Sequence, residues 1–247
     1  ALGFSTYYLV ILGAGHNAKA HAIAYFPLVL SGIFLVFRKK YLLGFILTAV
    51  AMGLELNANH PQMTYYLLLL VLVIGLVYLI DAVKKKELKH FFTSIGVMTV
   101  AVVLSLGLNA TNLLATSEYA KESTRSKSVL TINPDGSPKE VTGGLSKDYI
   151  THWSYGIGES LNLFVPGLYG GSNSEPIKKD ALVVKKMQRM FGISTKEAQG
   201  FAGQLMYWAD QPGVSGPAYI GAVVIFLFVL GLFLLKGGLK IWVLLGG

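Results

Sequence analysis

An α-helical, polytopic membrane protein is what this sequence predicts, on three observations. Of its 247 residues, 53% are hydrophobic and only 14% charged, where an ordinary globular domain has about a quarter of its residues charged. The apolar residues gather into runs long enough to cross hydrocarbon. The lysines and arginines between those runs fall in every second loop.

Taken in order, five runs are long and apolar enough to span a bilayer, at about 20–37, 41–56, 63–80, 91–108 and 217–235. A span takes roughly 20 residues of helix at about 1.5 Å each. Partial runs at 1–14 and 241–247 bring the expected crossings to seven. The alternative, buried helices of a soluble protein, would leave so short a chain little amphipathic surface. Both ends of the chain fall inside apolar runs, so an internal piece of a longer protein is expected. The first run is too polar at Ser5 to Tyr8, and lacks the basic start, for a signal peptide.

Charge sets the orientation. Arg38, Lys39 and Lys40, then Lys84, Lys85, Lys86 and Lys89, then Lys236 and Lys240 mark alternate loops, which the positive-inside rule puts in the cytoplasm. The polar stretches 13–19 and 54–62 and the long segment 109–216 then face outside. The net charge of +8 is explained by this topology, because the three basic loops hold nine basic residues against Asp81 and Glu87. Nothing in it calls for nucleic acid. The chain has no cysteine, which excludes disulfides, a thiolate nucleophile and a cysteine metal site.

Three parts are expected: transmembrane helices with short polar outer loops over 1–108, an extracytoplasmic segment over 109–216, and further transmembrane helix over 217–247. The middle part is too long for a structureless loop and ought to fold. "SVLTINPDGSPKEVT", 128–142, predicts a short hairpin about Pro134, Asp135 and Gly136. "DALVVKKMQRM", 180–190, predicts a helix. Ser194 with Glu197 three residues on predicts a capping box, after which Phe201, Leu205 and Trp208 recur at helical spacing. That stripe lies either on a membrane surface or against its own domain.

Three polar clusters fall on the outer side. "GAGHNAKAHAIAYFP" carries His16, Asn17, Lys19 and His21; "LELNANHPQMTYY" carries Glu55, Asn57, Asn59, His60 and Gln62; "THWSYGIGESLNLFVPGLYGG" carries His152, Trp153, Tyr155 and Glu159. Four of the five histidines are among them, His90 being the exception. Glu55 lies one turn inside an otherwise neutral span, where an ionisable group facing lipid costs several kcal/mol. It is the leading catalytic candidate, against the alternative of a capping or snorkelling carboxylate. Lys19 with His16 and His60 offers ammonium and imidazole donors suited to a lipid phosphate, or else an interfacial lysine and solvated histidines.

Trp153 and Tyr155 suit stacking on a sugar ring, and Glu159 suits binding its hydroxyls or acting as a base. The alternative is an interfacial aromatic belt with a surface carboxylate. His16 and His21, like Glu55 and His60, are five apart, which does not match a helical zinc motif. No metal ligands are assigned. Asn109-Ala110-Thr111 matches a glycosylation sequon by pattern only.

"GHNAKAHAIAYFP", "ELNANHPQMTYY" and "THWSYGIGESLNLFVPGLYGG" together resemble the YfhO family of bacterial polytopic membrane proteins, over about 13–171. That family looks like polyprenyl-phosphate-sugar-dependent glycosyltransferases of the C fold. The resemblance implies a protein of the bacterial cytoplasmic membrane that passes a sugar from a polyprenyl phosphate to a cell-envelope polymer or glycolipid. Within such a reaction Glu55 or Glu159 stands in as the catalytic carboxylate, His16, Lys19 and His60 hold the phosphate, and Asn17, Asn57, Asn59, Gln62, His152, Trp153 and Tyr155 surround the substrate. No cofactor is expected, and a divalent metal, if used, is held by residues upstream of Ala1. Enzymes of this fold usually carry an essential acidic residue in a first outer loop, which would also lie upstream. A transporter or flippase of a lipid-linked sugar would use the same pocket without chemistry. A purely structural subunit has no need of such polar clusters.

Overall fold

Polar linkers of two or three residues separate four long apolar helices: α2 (Asn17–Phe37), α3 (Tyr41–Asn57), α4 (Pro61–Lys85) and α5 (Leu88–Leu108), with α1 (Thr6–Gly13) ahead of them. The computed structural model describes residues 5–123, 132, 135–138, 145–172, 175–212 and 218–235. Helices α2, α4 and α5 are each long and apolar enough to cross a membrane; α3, with 17 residues, is shorter. The apolar runs of the sequence therefore become helices close to where they were expected, and the run 241–247 lies outside the described residues. Left-handed residues at Lys39, Asn59 and Lys86 reverse the chain between them. Of these only asparagine takes that conformation readily, so the two lysines carry no turn signal a sequence reading would use.

Two compact units are formed: Ala1–His16 with Ser146–Leu235, and Asn17–Leu145 with Lys236–Gly247. These units cut the chain at other places than the three parts expected from hydropathy. The reason in the first unit is pairing between distant segments. Thr6 N donates to the Tyr219 carbonyl at 3.3 Å, and Tyr219 N donates to Thr6 Oγ1 at 2.6 Å. The start of the chain is thereby joined to the segment leading into α10 (Ala222–Leu234).

In the second unit α2 and α3 pack closely antiparallel, because each presents a glycine to the other. A Cβ on Gly32 would lie 2.4 Å from Thr48 Oγ1 and 2.8 Å from Thr48 N, and one on Gly44 would lie 2.7 Å from Val36 N. Small residues that let helix backbones approach are the usual way to gain dispersion energy where lipid removes the hydrophobic drive. Helix α5 runs parallel to α3 and is bonded to it through side chains. Ser105 Oγ donates to the Ala49 carbonyl at 2.8 Å, and one turn on Asn109 Nδ2 donates to the Gly53 carbonyl at 3.0 Å.

Asn109 is 7% exposed and also donates to the Ser105 carbonyl. Its amide is thus committed between helices, and the sequon is a packing feature. Removing both donors, Ser105→Ala with Asn109→Ala, is expected to lower the melting point in detergent. The loss is about 0.6 kcal/mol per bond on average and up to about 1.7. An unchanged melting point would show that these bonds carry no stability.

At the opposite end His90 joins three helix ends. Its Nε2 lies 2.9 Å from the Phe37 carbonyl, which only accepts, so Nε2 carries the hydrogen and Nδ1 accepts from the Tyr41 hydroxyl at 2.7 Å. Phe37 stacks on Tyr78 of α4 with centroids 3.8 Å apart, and Lys39 pairs with Glu87 at 3.6 Å. The histidine set apart by its position among the basic loops is therefore a structural clasp. Helix α6 (Ala110–Lys121) follows α5 directly, and no pattern in the sequence announced it.

In the first unit lie α7 (Lys147–Thr151), a 3-10 turn at Glu159–Leu163, α8 (Leu182–Phe191) and α9 (Thr195–Gln204). Helices α8 and α9 pack through Val184, Ala198 and Ala202. The capping box forms as predicted: Ser194 Oγ accepts from Glu197 N, and Glu197 Oε2 accepts from Ser194 N at 2.9 Å and from Ser194 Oγ at 2.7 Å. One part of the reading needs correction. Trp208 does not continue the helix, which stops at Gln204; Trp208 N donates instead to the Tyr169 carbonyl at 3.2 Å in an extended segment.

The donors from Ser194 hold the Glu197 carboxyl below its ordinary value of 4.5. An unfolded chain lacks them, so the cap contributes fully above the ordinary glutamate pKa and is lost as pH falls through the lowered folded value. The protection of α9 amides against exchange, relative to the unfolded-chain rate, is expected to fall below about pH 4.5. Ser194→Ala should cost about 1 kcal/mol at neutral pH and flatten that pH dependence; an unaltered pH profile in the variant would refute the assignment.

Of the hairpin, an isolated antiparallel bridge joins Ile132 to Pro138 around Asp135 and Gly136. Asp135 Oδ1 accepts from Ser137 N and Oγ at 3.0 and 2.6 Å. The flanks, 128–131 and 139–142, and Pro134 lie outside the described residues. No strand longer than such a bridge occurs among the described residues.

Candidate functional site

The antiparallel order of α2, α3, α4 and α5 brings the first two polar clusters to one end of the second unit. Asn17, Lys19 and His21 stand in the first turns of α2; Glu55 and Asn57 in the last turn of α3; Asn59 and His60 in the turn; Gln62 and Thr64 at the start of α4. Asn17, His21, Asn57 and Gln62 are exposed, and Lys19, Asn59 and His60 are half-buried. His16 precedes them, exposed, and belongs to the other unit.

Glu55 is wholly buried, at 0% exposure. Its position follows from the helix: Gly44, Thr48, Ala51 and Glu55 recur at three- and four-residue spacing, so the carboxylate ends the buried stripe of α3. Thr64 Oγ1 lies 2.9 Å from Oε1 and 3.1 Å from Oε2, so its single hydrogen is shared between the two oxygens. A cleft of about 450 Å³ opens between α2, α3, α4 and α5, with walls that are almost wholly hydrocarbon. Thr64 lines it, together with Thr48, Leu56, Val71, Met98 and Leu106. The buried carboxylate is therefore one hydrogen bond away from an apolar cleft of the size that holds small ligands.

Two of the polar residues have structural work. Asn59 Nδ2 donates to Thr116 Oγ1 at 2.9 Å, and that hydroxyl returns a bond to Asn59 Oδ1 at 3.2 Å, fixing the α3–α4 turn to α6. Gln62 Nε2 donates to the Tyr66 hydroxyl one turn along. Thr64 and Thr116 were not singled out from the sequence, and Asn109 was noted only as part of a sequon. Lone hydroxyls and amides at these spacings give no signal until the helices are packed.

The third cluster lies in the first unit. Glycines at 158 and 170 let its loops close: a Cβ on Gly158 would lie 2.3 Å from the Tyr169 hydroxyl, and Gly170 at φ +90 would bring one 2.0 Å from the Met206 carbonyl oxygen. Gly171 N donates to that carbonyl at 2.8 Å, and Gly170 bridges Tyr207. His152, Trp153 and Tyr155 are exposed, while Glu159 is buried at 2% exposure.

Glu159 Oε2 accepts from Gly156 N at 3.0 Å, and Asn162 Oδ1 accepts from Tyr169 N at 3.1 Å. Glu159 Oε1, Asn162 Nδ2 and the Tyr207 hydroxyl are buried without a hydrogen-bond partner among the described residues. Such groups cost about 1–3 kcal/mol each when left unsatisfied. Asn162 and Tyr207 were not predicted.

No family model, curated protein or solved structure matches this chain. The site's chemistry therefore rests on its own geometry. Among the described residues no three histidine, aspartate or glutamate side chains gather as a metal-ligand set.

Proposed function

We propose that this chain binds a polyprenyl-phosphate-linked sugar at the polar end of the second unit and passes the sugar to an envelope polymer or glycolipid. The reaction takes place on the outer face of a bacterial cytoplasmic membrane. The observation that carries this reading is the buried Glu55, hydrogen-bonded to a threonine that lines an apolar cleft among helices of membrane-crossing length. An isoprenoid section suits the hydrocarbon walls, and a phosphosugar head suits the polar residues at the helix ends. The basic loops then face the cytoplasm, with the polar end and the 109–216 segment outside.

In the transfer, the acceptor oxygen attacks the anomeric carbon as the bond from that carbon to the phosphate oxygen breaks. The phosphate leaves with the electron pair, and the Glu55 carboxylate takes the acceptor's proton. Lys19 and His60 stabilise the charge growing on the phosphate. Asn17, Asn57, Asn59 and Gln62 orient oxygens of the head group.

One observation favours the second reading, transport of the lipid-linked sugar without chemistry: Thr64 already engages both oxygens of Glu55, an arrangement suited to holding a ligand. The full chain, reconstituted with a labelled polyprenyl-phosphate sugar, separates the two. Transfer of label to an acceptor that falls in Lys19→Ala supports the transferase. Binding and translocation with no transfer supports transport, and wild-type transfer in Lys19→Ala and Glu55→Gln alike rejects this site.

A further inference from the structure

Helices α8 and α9 bury the wrong side of their apolar surface for a protein core. Their shared contact uses Val184, Ala198 and Ala202, while the bulkier Leu182, Met190 and Phe201 on the helices, with Leu205 and Trp208 just past the end of α9, stay between 55% and 74% exposed. On α8, Leu182, Val183 and Met190 form a flank beside the packed face, with Lys186 among them and Lys185 and Arg189 along its edge. Lys178, Lys179 and Lys196 add to this, so that six basic residues face only Asp180 between 177 and 196.

The geometry points to this helix pair lying on an anionic lipid surface, with the large apolar side chains in the acyl boundary and the basic residues at the head groups. A protein partner fits the same residues poorly, because lysine is depleted at protein interfaces while aromatic and basic residues interleaved on an amphipathic helix are the mark of an interfacial one. Apolar area of this kind is not left to water without a use. A lipid surface is within reach, since the same chain carries three helices of membrane-crossing length. The proposal stands apart from the transferase reading, since it concerns where these helices lie and not what the polar end does.

The test uses the full chain, which has no native cysteine. Met190→Cys and Phe201→Cys, each carrying an environment-sensitive fluorophore, are reconstituted in bilayers of phosphatidylcholine alone or with phosphatidylglycerol. Both labels are expected to shift to the blue and to be quenched by bromolipid, roughly twofold more in the anionic bilayer. Adding Lys185→Gln, Lys186→Gln and Arg189→Gln should remove that difference. Equal quenching in both bilayers overturns the anionic-lipid assignment. Labels quenched only by aqueous iodide overturn the surface docking, and labels shielded from both quenchers place a protein there instead.

Discussion

Gly32→Leu is expected to abolish recovery of a folded, monodisperse protein from detergent. The first side-chain carbon alone would sit 2.4 Å from Thr48 Oγ1 and 2.8 Å from Thr48 N, and the second contact is backbone, which cannot swing away. Overpacking typically costs about 1–3 kcal/mol; here the remedy is to separate α2 from α3, which would also remove the wall behind Ala51 and Glu55. Gly44→Leu meets Val36 N at 2.7 Å and the Gly32 carbonyl oxygen at 2.8 Å, so the same result is expected. The controls lie in the same unit. Gly75 and Gly96 have nothing within 4 Å of the position a Cβ would take, so leucine there should leave size-exclusion and melting profiles as in wild type. A normal profile for Gly32→Leu would refute the close α2–α3 approach.

Glu55→Gln should separate chemistry from packing. The amide keeps the volume of the carboxylate and an oxygen to accept the Thr64 hydrogen, so the melting point is expected to stay within a degree or two of wild type, as for a near-neutral substitution. If Glu55 takes the acceptor's proton, transfer falls by about 10²- to 10⁴-fold, the usual worth of a positioned general base. Thr64→Val tests the neighbour: it removes the donor from a buried carboxylate, so stability is expected to fall by about 1–3 kcal/mol. Loss of stability in Glu55→Gln equal to that in Thr64→Val would make Glu55 a packing residue. Unchanged transfer in Glu55→Gln would exclude Glu55 as the base.

The exposed apolar residues at and beyond the end of α9 show where sequence reasoning stops. Phe201, Leu205 and Trp208 have the spacing of a buried helical face, yet the face that is buried carries Ala198, Ala202 and Gly203. Spacing says which residues share a side; it does not say which side finds a complementary neighbour. Ser194 and Glu197, by contrast, were legible because both halves of a capping box lie within four residues. Asn109 was misleading alone, since a sequon and a helix-bridging amide are written with the same letters.

By itself the sequence located the long apolar helices α2 to α5 close to their observed ends. Hydropathy, short-range spacing and the alternation of charged loops are local properties that survive in any packing, and they located α2 to α5 and gathered the polar residues toward one end. Only the tertiary structure decided what those residues face. Glu55 became a wholly buried carboxylate bound to Thr64 beside an apolar cleft, His90 a clasp on two helix ends, and Asn59 a tether to Thr116. Each of those outcomes depends on how neighbouring helices approach one another, as the glycines at 32 and 44 show for α2 and α3. Burial and hydrogen bonding are pairwise quantities, and half of each pair lies on another helix.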